Sequence, residues 1–316
     1  MMSPLDLPSF TDQPRNMLDS LTVRCFAKIN LFLRVLGRRE DGFHEIETLF
    51  QCIDLHDTLT ISRRDEQGGM KLICDDPQLP CDESNLALRA AREFAQRSGI
   101  KLGLEIRLEK KIPVAAGLGG GSSDAAASLR ALNQMTCEPL SEAELLEAAA
   151  ELGSDVPYFL LGGTALGKGR GEELTSLDDT PVMNLVLLVP NLSISAASAY
   201  EQFDLTFGAQ ISDSTHRLSL GESNSSGMSW QNDLERGVFR AHPKLANLKD
   251  GLLEAGAAEA VMSGSGPVIA GRFDRPSAAE QAADLFRARG VGVIRCCSLT
   301  KRDFRRMFIL ARKREA

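Results

Sequence analysis

The sequence predicts an α+β fold organised in two domains. Strand-type alternation and helix-type periodicity both occur along the chain, and they do not follow each other regularly as they would in a doubly wound sheet. The 316 residues suffice for one large or two ordinary domains with cores of their own. We expect a disordered N-terminal extension over residues 1–20, a first domain over 21–178 and a second over 179–316.

The first predicted elements are a strand, a helix and a second strand. From Val23 onward apolar residues recur at every second position, which predicts a strand. A helix follows a polar loop, with Ser84 or Asn85 as its N-cap and Gly99 as its end. Residues 102–108 alternate cleanly between apolar and polar side chains, as in a half-buried strand.

Later elements have local signals of the same kind. Ser141 and Glu144 form a capping box that begins a helix, and Gly153 ends that helix. The apolar run over residues 183–189 predicts a strand buried on both faces. Residues 208–229 are rich in Ser, Gly and Asp and predict a long loop, after which helices and short strands alternate irregularly.

Composition excludes several classes of function. The formal net charge is −7 and Lys and Arg do not cluster among aromatic residues, so we do not expect nucleic acid as the partner. The seven cysteines lack C-x-x-C spacing, and there are only four histidines, which argues against disulfide scaffolds and zinc. No apolar run has transmembrane length, and the N-terminus lacks the apolar core of a signal peptide. A cytoplasmic protein that does not bind membranes is expected.

The segment PVAAGLGGGSSDAAASL, which begins at Pro113, is the strongest functional signal. It lies between a predicted strand and a predicted helix, so it ends in a helix N-terminus whose free N–H groups suit phosphate. Its glycines let the backbone approach an anion, and Ser122 and Ser123 can cap the helix or donate to phosphate oxygens. A capped turn that binds nothing is the alternative for this segment taken alone.

Spacing excludes the two common nucleotide-binding loops. No Gly-Lys-Ser/Thr occurs in the chain, so the segment is not a P-loop. Gly117, Gly119, Gly120 and Gly121 are followed by two serines, so the G-x-G-x-x-G pattern is not matched either. If the segment binds phosphate, it is a phosphate loop of another kind.

Six motifs occur in order along nearly all of the chain after the extension. They are AKINLFLRVLGRREDGFHEIETLF from Ala27, PVAAGLGGGSSDAA from Pro113, GSDVPYFL from Gly153, GKGRGEEL from Gly167, NDLE from Asn232 and MSGSGP from Met262. Together they resemble the GHMP kinase superfamily, whose central pattern is P-x-x-x-G-L-x-S-S-A. The longer glycine run is similar to the family of 4-diphosphocytidyl-2-C-methyl-D-erythritol kinases. The resemblance implies a two-domain GHMP kinase architecture with the active site in the cleft between the domains.

The resemblance implies two catalytic residues. Asp155 occupies the position of the family's base for the acceptor hydroxyl, and Lys28 that of a catalytic lysine beside it. Such a pair would keep the carboxylate ionised and help to neutralise the transferring phosphoryl group. From the residues alone, Asp155 is equally a turn or cap aspartate, and Lys28 an edge-strand lysine facing solvent.

The resemblance assigns the glycine-rich segment to the phosphates of ATP. Lys110 and Asn85 are further candidates near the nucleotide, although Lys110 and its neighbour Lys111 are equally consistent with solvated charges at a strand end. The predicted ATP-binding residues are Asn85, Lys110, Pro113, Val114, Ala115, Ala116, Gly117, Leu118, Gly119, Gly120, Gly121, Ser122 and Ser123.

For the acceptor, the resemblance implies a cytosine ring held between aromatic side chains and by a histidine. Phe43 replaces the tyrosine that is commoner in the family, and Ala196 stands where a threonine is frequent, so one hydroxyl contact is expected to be missing. Taken alone, His44 and Tyr200 are equally ordinary surface or half-buried residues, and a second glycine loop, residues 264–266, is equally a tight turn before a strand. The predicted substrate-binding residues are Asn30, Phe43, His44, Tyr200, Gly264, Ser265 and Gly266.

These expectations combine into one function. The chain is expected to use ATP to phosphorylate the 2-hydroxyl of 4-(cytidine-5′-diphospho)-2-C-methyl-D-erythritol, in the non-mevalonate route to isoprenoid precursors. A GHMP kinase for homoserine, mevalonate or a sugar is the alternative, and a silent nucleotide-binding regulator is the alternative from another class. Mg²⁺ is the implied metal, and the sequence does not assign its ligands. The expected partner is the cytidine diphosphate-linked small-molecule substrate, and the expected state is monomer or homodimer.

Overall fold

The computed structural model describes residues 17–207 and 229–313, and it shows the predicted mixture of helices and sheets. The first part of the chain contains β1 (Ser20–Arg38), β2 (His44–Arg64), β3 (Met70–Cys74), α1 (Leu86–Ser98), β4 (Gly103–Glu109), α2 (Gly120–Met135), α3 (Glu142–Leu152), α4 (Tyr158–Leu161), β5 (Thr164–Lys168) and β6 (Glu173–Ser176).

The second part begins with a strand that is buried along its centre. It contains β7 (Asn184–Val189), α5 (Ala196–Phe207), β8 (Gln231–Asn232), α6 (Leu234–Ala241), α7 (Pro243–Glu254), β9 (Glu259–Met262), β10 (Ile269–Phe273), α8 (Pro276–Ala288), β11 (Gly292–Cys297), α9 (Lys301–Met307) and β12 (Ile309–Lys313). The loop predicted over residues 208–229 lies, apart from its last residue, outside the described residues.

Capping signals in the sequence correspond to helix ends in the structure. Asn85 caps α1 by accepting a hydrogen bond from the Ala87 N–H, and Gly99 ends the helix with a left-handed φ of 70°. The capping box of Ser141 and Glu144 is formed in full at the start of α3. These predictions are confirmed, because each depends only on residues within one turn of the chain.

The described strands form two sheets. The first has the order β12-β1-β2-β4-β3, with β5 also paired to β2, β6 paired to β5 and β8 paired to β1. The second is antiparallel throughout, with the order β11-β7-β10-β9. An apolar cluster shared by both sheets includes Ile29 of β1, Leu187 of β7 and Val261 of β9. The sheets are therefore joined by buried contacts beside Lys28.

The ends of the described chain pack on the first sheet. Met17 and Leu18 are buried and β1 begins at Ser20, so the prediction of disorder up to residue 20 is wrong for residues 17–20. Residues 1–16 lie outside the described residues. At the other end β12 pairs with β1, and Phe304 packs in the core beneath that sheet. The domain division between residues 178 and 179 stays a prediction. Two strands after residue 179, β8 and β12, pair with β1 of the first sheet.

None of the helices among the described residues is both long and apolar enough to cross a bilayer.

Candidate active site

Lys28 and Asn30 project from the same face of β1, because side chains alternate along a strand. Both are buried, with 3% and 2% of their surface exposed. The Lys28 Nζ donates to Asn30 Oδ1 at 2.6 Å and lies 3.5 Å from Asp155 Oδ2. Lys28 lies opposite Cys52 of β2, its N–H donates to the Leu118 carbonyl and its side chain is buried, so it is not an edge-strand lysine in solvent.

Asp155 stands in the turn between α3 and α4. The N-cap of α4 is Pro157, and no side chain caps that helix, so Asp155 does not serve as its cap. The side chain of Asp155 is 35% exposed and lines a cavity of about 890 Å³. A carboxylate that is open to a cavity of ligand size and lies beside a buried ammonium is placed to accept a proton.

The glycine-rich segment borders this cavity and a second one of about 330 Å³. Helix α2 begins at Gly120, and its N-cap is Gly119 in a left-handed conformation with no side-chain cap. The N–H groups of the first helical turn therefore have no partner within the helix, and Gly120, Gly121 and Ser122 line the second cavity. This helix N-terminus is suited to phosphate.

The two serines of the segment have different positions. Ser122 lines both cavities, whereas Ser123 is buried and donates its hydroxyl to the Phe26 carbonyl at 2.7 Å. Neither serine caps α2, so of the two alternatives for these serines the helix cap is wrong. The N-cap is Gly119, with a left-handed φ of 73°, and the helix therefore begins about one turn before the serines.

Gly117 is held against the second glycine loop. Its φ is +75°, and a Cβ added there would lie 2.0 Å from the Ser263 carbonyl oxygen. Ser263 donates its hydroxyl to the Gly117 carbonyl and accepts a hydrogen bond from the Asn30 N–H. Asn232 of the NDLE motif donates to the Met262 and Gly264 carbonyls. The two glycine loops and β1 are thus fixed to one another at the cavity.

Lys110 forms a buried ion cluster at the edge of the second cavity. Its Nζ lies 2.5 Å from Asp57 Oδ2 and 2.7 Å from Asp124 Oδ2. Burial lowers the pKa of Lys110, but attraction to Asp124 and Asp57 outweighs this, so its pKa is raised above the ordinary value. Burial raises the pKa of Asp124 to about 7. Lys110 is therefore not a solvated strand-end charge.

The aromatic residues line the larger cavity. The rings of His44 and Tyr200 are stacked at 4.7 Å, and His44 Nε2 lies 2.8 Å from Asp204 Oδ1. Phe43 is 53% exposed, and the guanidinium of Arg170 lies 4.9 Å from the centre of its ring. His44 and Tyr200 therefore stack on each other, and this pair lines the cavity together with Phe43 and Asp155.

Most of the predicted site residues line one of the two cavities. The larger cavity brings together Lys28, Asn30, Phe43, His44, Gly117, Gly119, Ser122, Asp155, Tyr200, Gly264 and Ser265. The smaller one is lined by Asn85, Lys110, residues 113–117 and 119–122. Leu118, Ser123 and Gly266 line neither; Leu118 is buried and its carbonyl accepts from the Lys28 N–H, while Gly266 packs against Met262.

Several residues of the site were missed from the sequence. Arg38, Arg170 and Asp204 line the larger cavity, and Asp57 and Asp124 hold Lys110. Arg38, Arg170 and Asp124 lie inside the motifs quoted above, and membership of a motif was the signal that could have indicated them. Asp57 had none, because its partners are brought to it only by the pairing of β2 with β4.

Oxygen donors rather than a dedicated metal cage are present at the site. Within residues 17–207 and 229–313, no group of three or more His, Cys, Asp or Glu side chains is arranged to hold a metal ion. The Ser122 hydroxyl and the Asp155 carboxylate line the larger cavity. This donor set fits Mg²⁺, which keeps several waters and binds substrate phosphates with few protein ligands.

Two family models match the chain. They are the GHMP kinases N terminal domain, over residues 85–163, and the GHMP kinases C terminal domain, over residues 219–292. The chain is 43% identical over 270 residues to a 4-diphosphocytidyl-2-C-methyl-D-erythritol kinase of Pelotomaculum thermopropionicum, covering 84% of this chain and 94% of that protein. It is 42% identical over 275 residues to the protein of the same name from Prosthecochloris aestuarii, covering 86% and 95%.

Solved structures agree with these matches. A crystal structure of 4-(cytidine 5'-diphospho)-2C-methyl-D-erythritol kinase has a TM-score of 0.72 and 33% identity, covering 88% of this chain and 99% of that one. A homoserine kinase from Cytophaga hutchinsonii has a TM-score of 0.61 at 22% identity, covering 94% and 98%, which shows a shared fold alone. The predicted GHMP kinase architecture is confirmed.

Proposed function

The chain belongs to the 4-diphosphocytidyl-2-C-methyl-D-erythritol kinase family of GHMP kinases, and we propose from its site how it performs the reaction that this name describes. It is an ATP-dependent phosphotransferase, which transfers the γ-phosphoryl group to the 2-hydroxyl of 4-(cytidine-5′-diphospho)-2-C-methyl-D-erythritol. The product is a precursor in the non-mevalonate isoprenoid pathway.

The proposal is carried by one observation: Lys28 and Asp155 line the same cavity as the glycine-rich segment and the stacked aromatic rings. Residues 117, 119 and 122 border both cavities, so the helix N-terminus of α2 opens toward the Lys28–Asp155 pair. The stacked His44 and Tyr200 lie in the same cavity as that pair. A nucleotide on the glycine side and a cytidine group on the aromatic side would meet at Asp155.

The chemistry assigned to the pair follows from its electrostatics. The Asp155 carboxylate accepts the proton of the 2-hydroxyl as that oxygen attacks the γ-phosphorus, and ADP leaves. The Lys28 ammonium, buried and 3.5 Å from Asp155, attracts the carboxylate and the transferring phosphoryl oxygens. The N–H groups at the start of α2 hold the phosphates of the donor.

For the other predicted contacts we propose three roles. Asn85 and Lys110 border the nucleotide, with Lys110 held in place by Asp57 and Asp124. Phe43, His44 and Tyr200 receive the cytosine ring, which requires His44 and Tyr200 to separate or to accept the ring at their edge. Gly264 and Ser265 border the acceptor next to Asn30.

We also propose Mg²⁺ as the metal, which would be bound chiefly by phosphate oxygens and water, with the Ser122 hydroxyl of the cavity lining as a protein donor. When bound, it neutralises phosphate charge. A cytoplasmic location is proposed because all seven cysteines are free thiols. The monomer or homodimer and the domain limits at residues 21–178 and 179–316 stay predictions.

An acceptor panel tests the proposed substrate. ADP release is measured with ATP and Mg²⁺ in the presence of the cytidine diphosphate substrate, homoserine, mevalonate or galactose, with Lys28→Ala as the inactive control. We expect turnover with the cytidine compound and less than about a hundredth of that rate with the others, because these make no aromatic contacts at His44 and Tyr200. Turnover of homoserine or mevalonate with none of the cytidine compound would refute the assignment.

A further inference from the structure

We propose that Thr48 is a positioning residue for phosphoryl transfer, because its buried hydroxyl sets the orientation of the Asn30 amide and, through it, the position of the Lys28 ammonium. The inference rests on the proposed function, since it assigns Thr48 a role in that reaction. Lys28, Asn30 and Thr48 are 3%, 2% and 0% exposed, so the hydrogen bonds among them are buried.

The direction of the Thr48 hydroxyl follows from its partners. Its Oγ1 lies 2.7 Å from the Phe32 carbonyl oxygen, which has no hydrogen to give, so Thr48 donates in that contact. A hydroxyl has a single hydrogen. Toward its second neighbour, the Asn30 amide at 2.7 Å, Thr48 can therefore only accept.

The orientation of the Asn30 amide follows in turn. Because Thr48 only accepts there, Asn30 must present its NH₂ group to Thr48 and its carbonyl oxygen to the opposite side. That oxygen accepts from the Lys28 Nζ at 2.6 Å. The reverse orientation would place an NH₂ group against an ammonium, and two buried donors facing each other have no hydrogen bond between them.

The consequence for Lys28 is a fixed ammonium group. One of its N–H groups is used by Asn30, which leaves the others for Asp155, at 3.5 Å, and for a phosphoryl oxygen in the cavity. An ammonium on a four-carbon stem is otherwise mobile, and a small displacement from the reacting atoms lowers the rate strongly. Thr48 lies outside the lining of the cavity and acts only through Asn30.

A β-bulge brings the three side chains together. Lys28 and Asn30 lie opposite Cys52 and Phe50 of β2, and the register shifts by one residue between Asn30 and Phe32. After the shift Thr48 lies opposite Leu33, so that its hydroxyl reaches both the Asn30 amide and the Phe32 carbonyl. Bulges next to active sites commonly redirect side chains in this way.

The first test compares Thr48→Val, which removes the hydroxyl at similar shape, with Thr48→Ser, which keeps it. We expect Thr48→Val to lower kcat at least about tenfold with the KM of both substrates changed less than about threefold, and Thr48→Ser to recover at least about a third of kcat. Thr60→Val is the matched control, because Thr60 lies on the same strand and bonds only Thr22 among the described side chains. An unchanged kcat in Thr48→Val overturns the proposal.

A double-mutant cycle distinguishes positioning from general damage. If Thr48 acts through Asn30, Thr48→Val should cause no further loss of kcat in an Asn30→Ala background. An equal loss in both backgrounds overturns the proposal. Failure of the wild-type chain to turn over the cytidine substrate overturns the proposed function itself, whereas normal wild-type turnover with an unaffected Thr48→Val variant overturns only the role of Thr48.

Discussion

At the scale of single residues, the site depends on two charges that are brought together across the fold. Lys28 is on β1, and Asp155 is in the turn that follows α3. No local pattern predicts that they meet, because the contact is made by tertiary packing. The resemblance to GHMP kinases indicated both residues, and the structure adds that the ammonium is buried while the carboxylate is open to the cavity.

The first prediction concerns Asp155. Asp155→Asn keeps the shape of the side chain but removes its capacity to accept a proton, so we expect kcat to fall by about 10³ or more with the KM for ATP within about threefold. Initial rates of ADP release measure both constants. Asp274→Asn, at an exposed position with 74% of its side chain accessible, is the control. A kcat within a factor of about three of wild type would remove Asp155 from the role of base.

Residue identity alone does not predict the partners of Lys110 and Ser123. A lysine at the end of a strand is usually solvated, yet Asp57 and Asp124 surround Lys110 from two elements far apart in sequence. Ser123 belongs to the loop motif, but the helical turn directs its hydroxyl to Phe26. Asp57 lies on β2 and Phe26 on β1, outside the glycine-rich segment, so no pattern within that segment indicates these two partners.

At the scale of elements, the proposed nucleotide site depends on the conformation of the glycine-rich loop at Gly117. Gly117→Ala should displace the loop, because its positive φ costs about 1 kcal/mol for alanine and the added Cβ would overlap the Ser263 carbonyl. We expect at least about a tenfold rise in the KM for ATP. Gly290→Ala is the matched control, with φ +76° and no atom within 4 Å of an added Cβ. Equal KM values for the two variants would contradict the account.

A second prediction at this scale concerns pH. Burial raises the pKa of Asp124 to about 7, whereas an aspartate in the unfolded chain titrates near 3.9. Between these values the folded state keeps a proton that the unfolded state has released, so this contribution to the free energy of unfolding falls as pH rises. Asp124→Asn should remove that fall.

Urea unfolding between about pH 4 and pH 7 measures the effect. As pH rises through this window, the free energy of unfolding of the wild type should fall relative to that of Asp124→Asn. Asp284→Asn, at an exposed position with 69% of its side chain accessible, should show a constant difference. A constant difference for Asp124→Asn would contradict the raised pKa.

Elements with local signals were predictable, and those set by the sheet were not. Caps at Asn85 and Ser141 were read correctly, since each is decided within one helical turn. Strand β2 was missed as a strand because the run from residue 48 to 53 is buried without interruption, so apolar and polar residues do not alternate there. The strand is instead defined by its backbone pairing with β1, β4 and β5, which a local pattern does not show.

At the scale of the whole molecule, the end of the chain completes the first sheet and its core. Phe304 of α9 is 2% exposed and lies 5.6 Å from the ring of Phe26, and a Cβ at Gly162 would overlap its ring. We expect Phe304→Ala to lower the free energy of unfolding by about 3–5 kcal/mol, measured by urea unfolding. Leu310→Ala, at a position 42% exposed, should change it by less than about 1 kcal/mol.

A loss below about 1 kcal/mol for Phe304→Ala would show that the end of the chain does not contribute to that core.

The sequence predicted two domains in succession, and it did not predict that the end of the chain returns to the first sheet. Residues 301–313 carry ordinary helix and strand patterns, and nothing in such a pattern states which sheet a terminal strand will join. Only the fold as a whole decides that.

The most direct test of the central claim is the phosphorus NMR spectrum of the product made from ATP and the cytidine diphosphate substrate. Carbon 2 of the methylerythritol group carries a methyl group and no hydrogen, so a phosphate on its hydroxyl has no proton three bonds away. We predict a new phosphomonoester signal without proton splitting, together with ADP. A signal split into a doublet or triplet would place the phosphate on another hydroxyl and contradict the proposed geometry at Asp155.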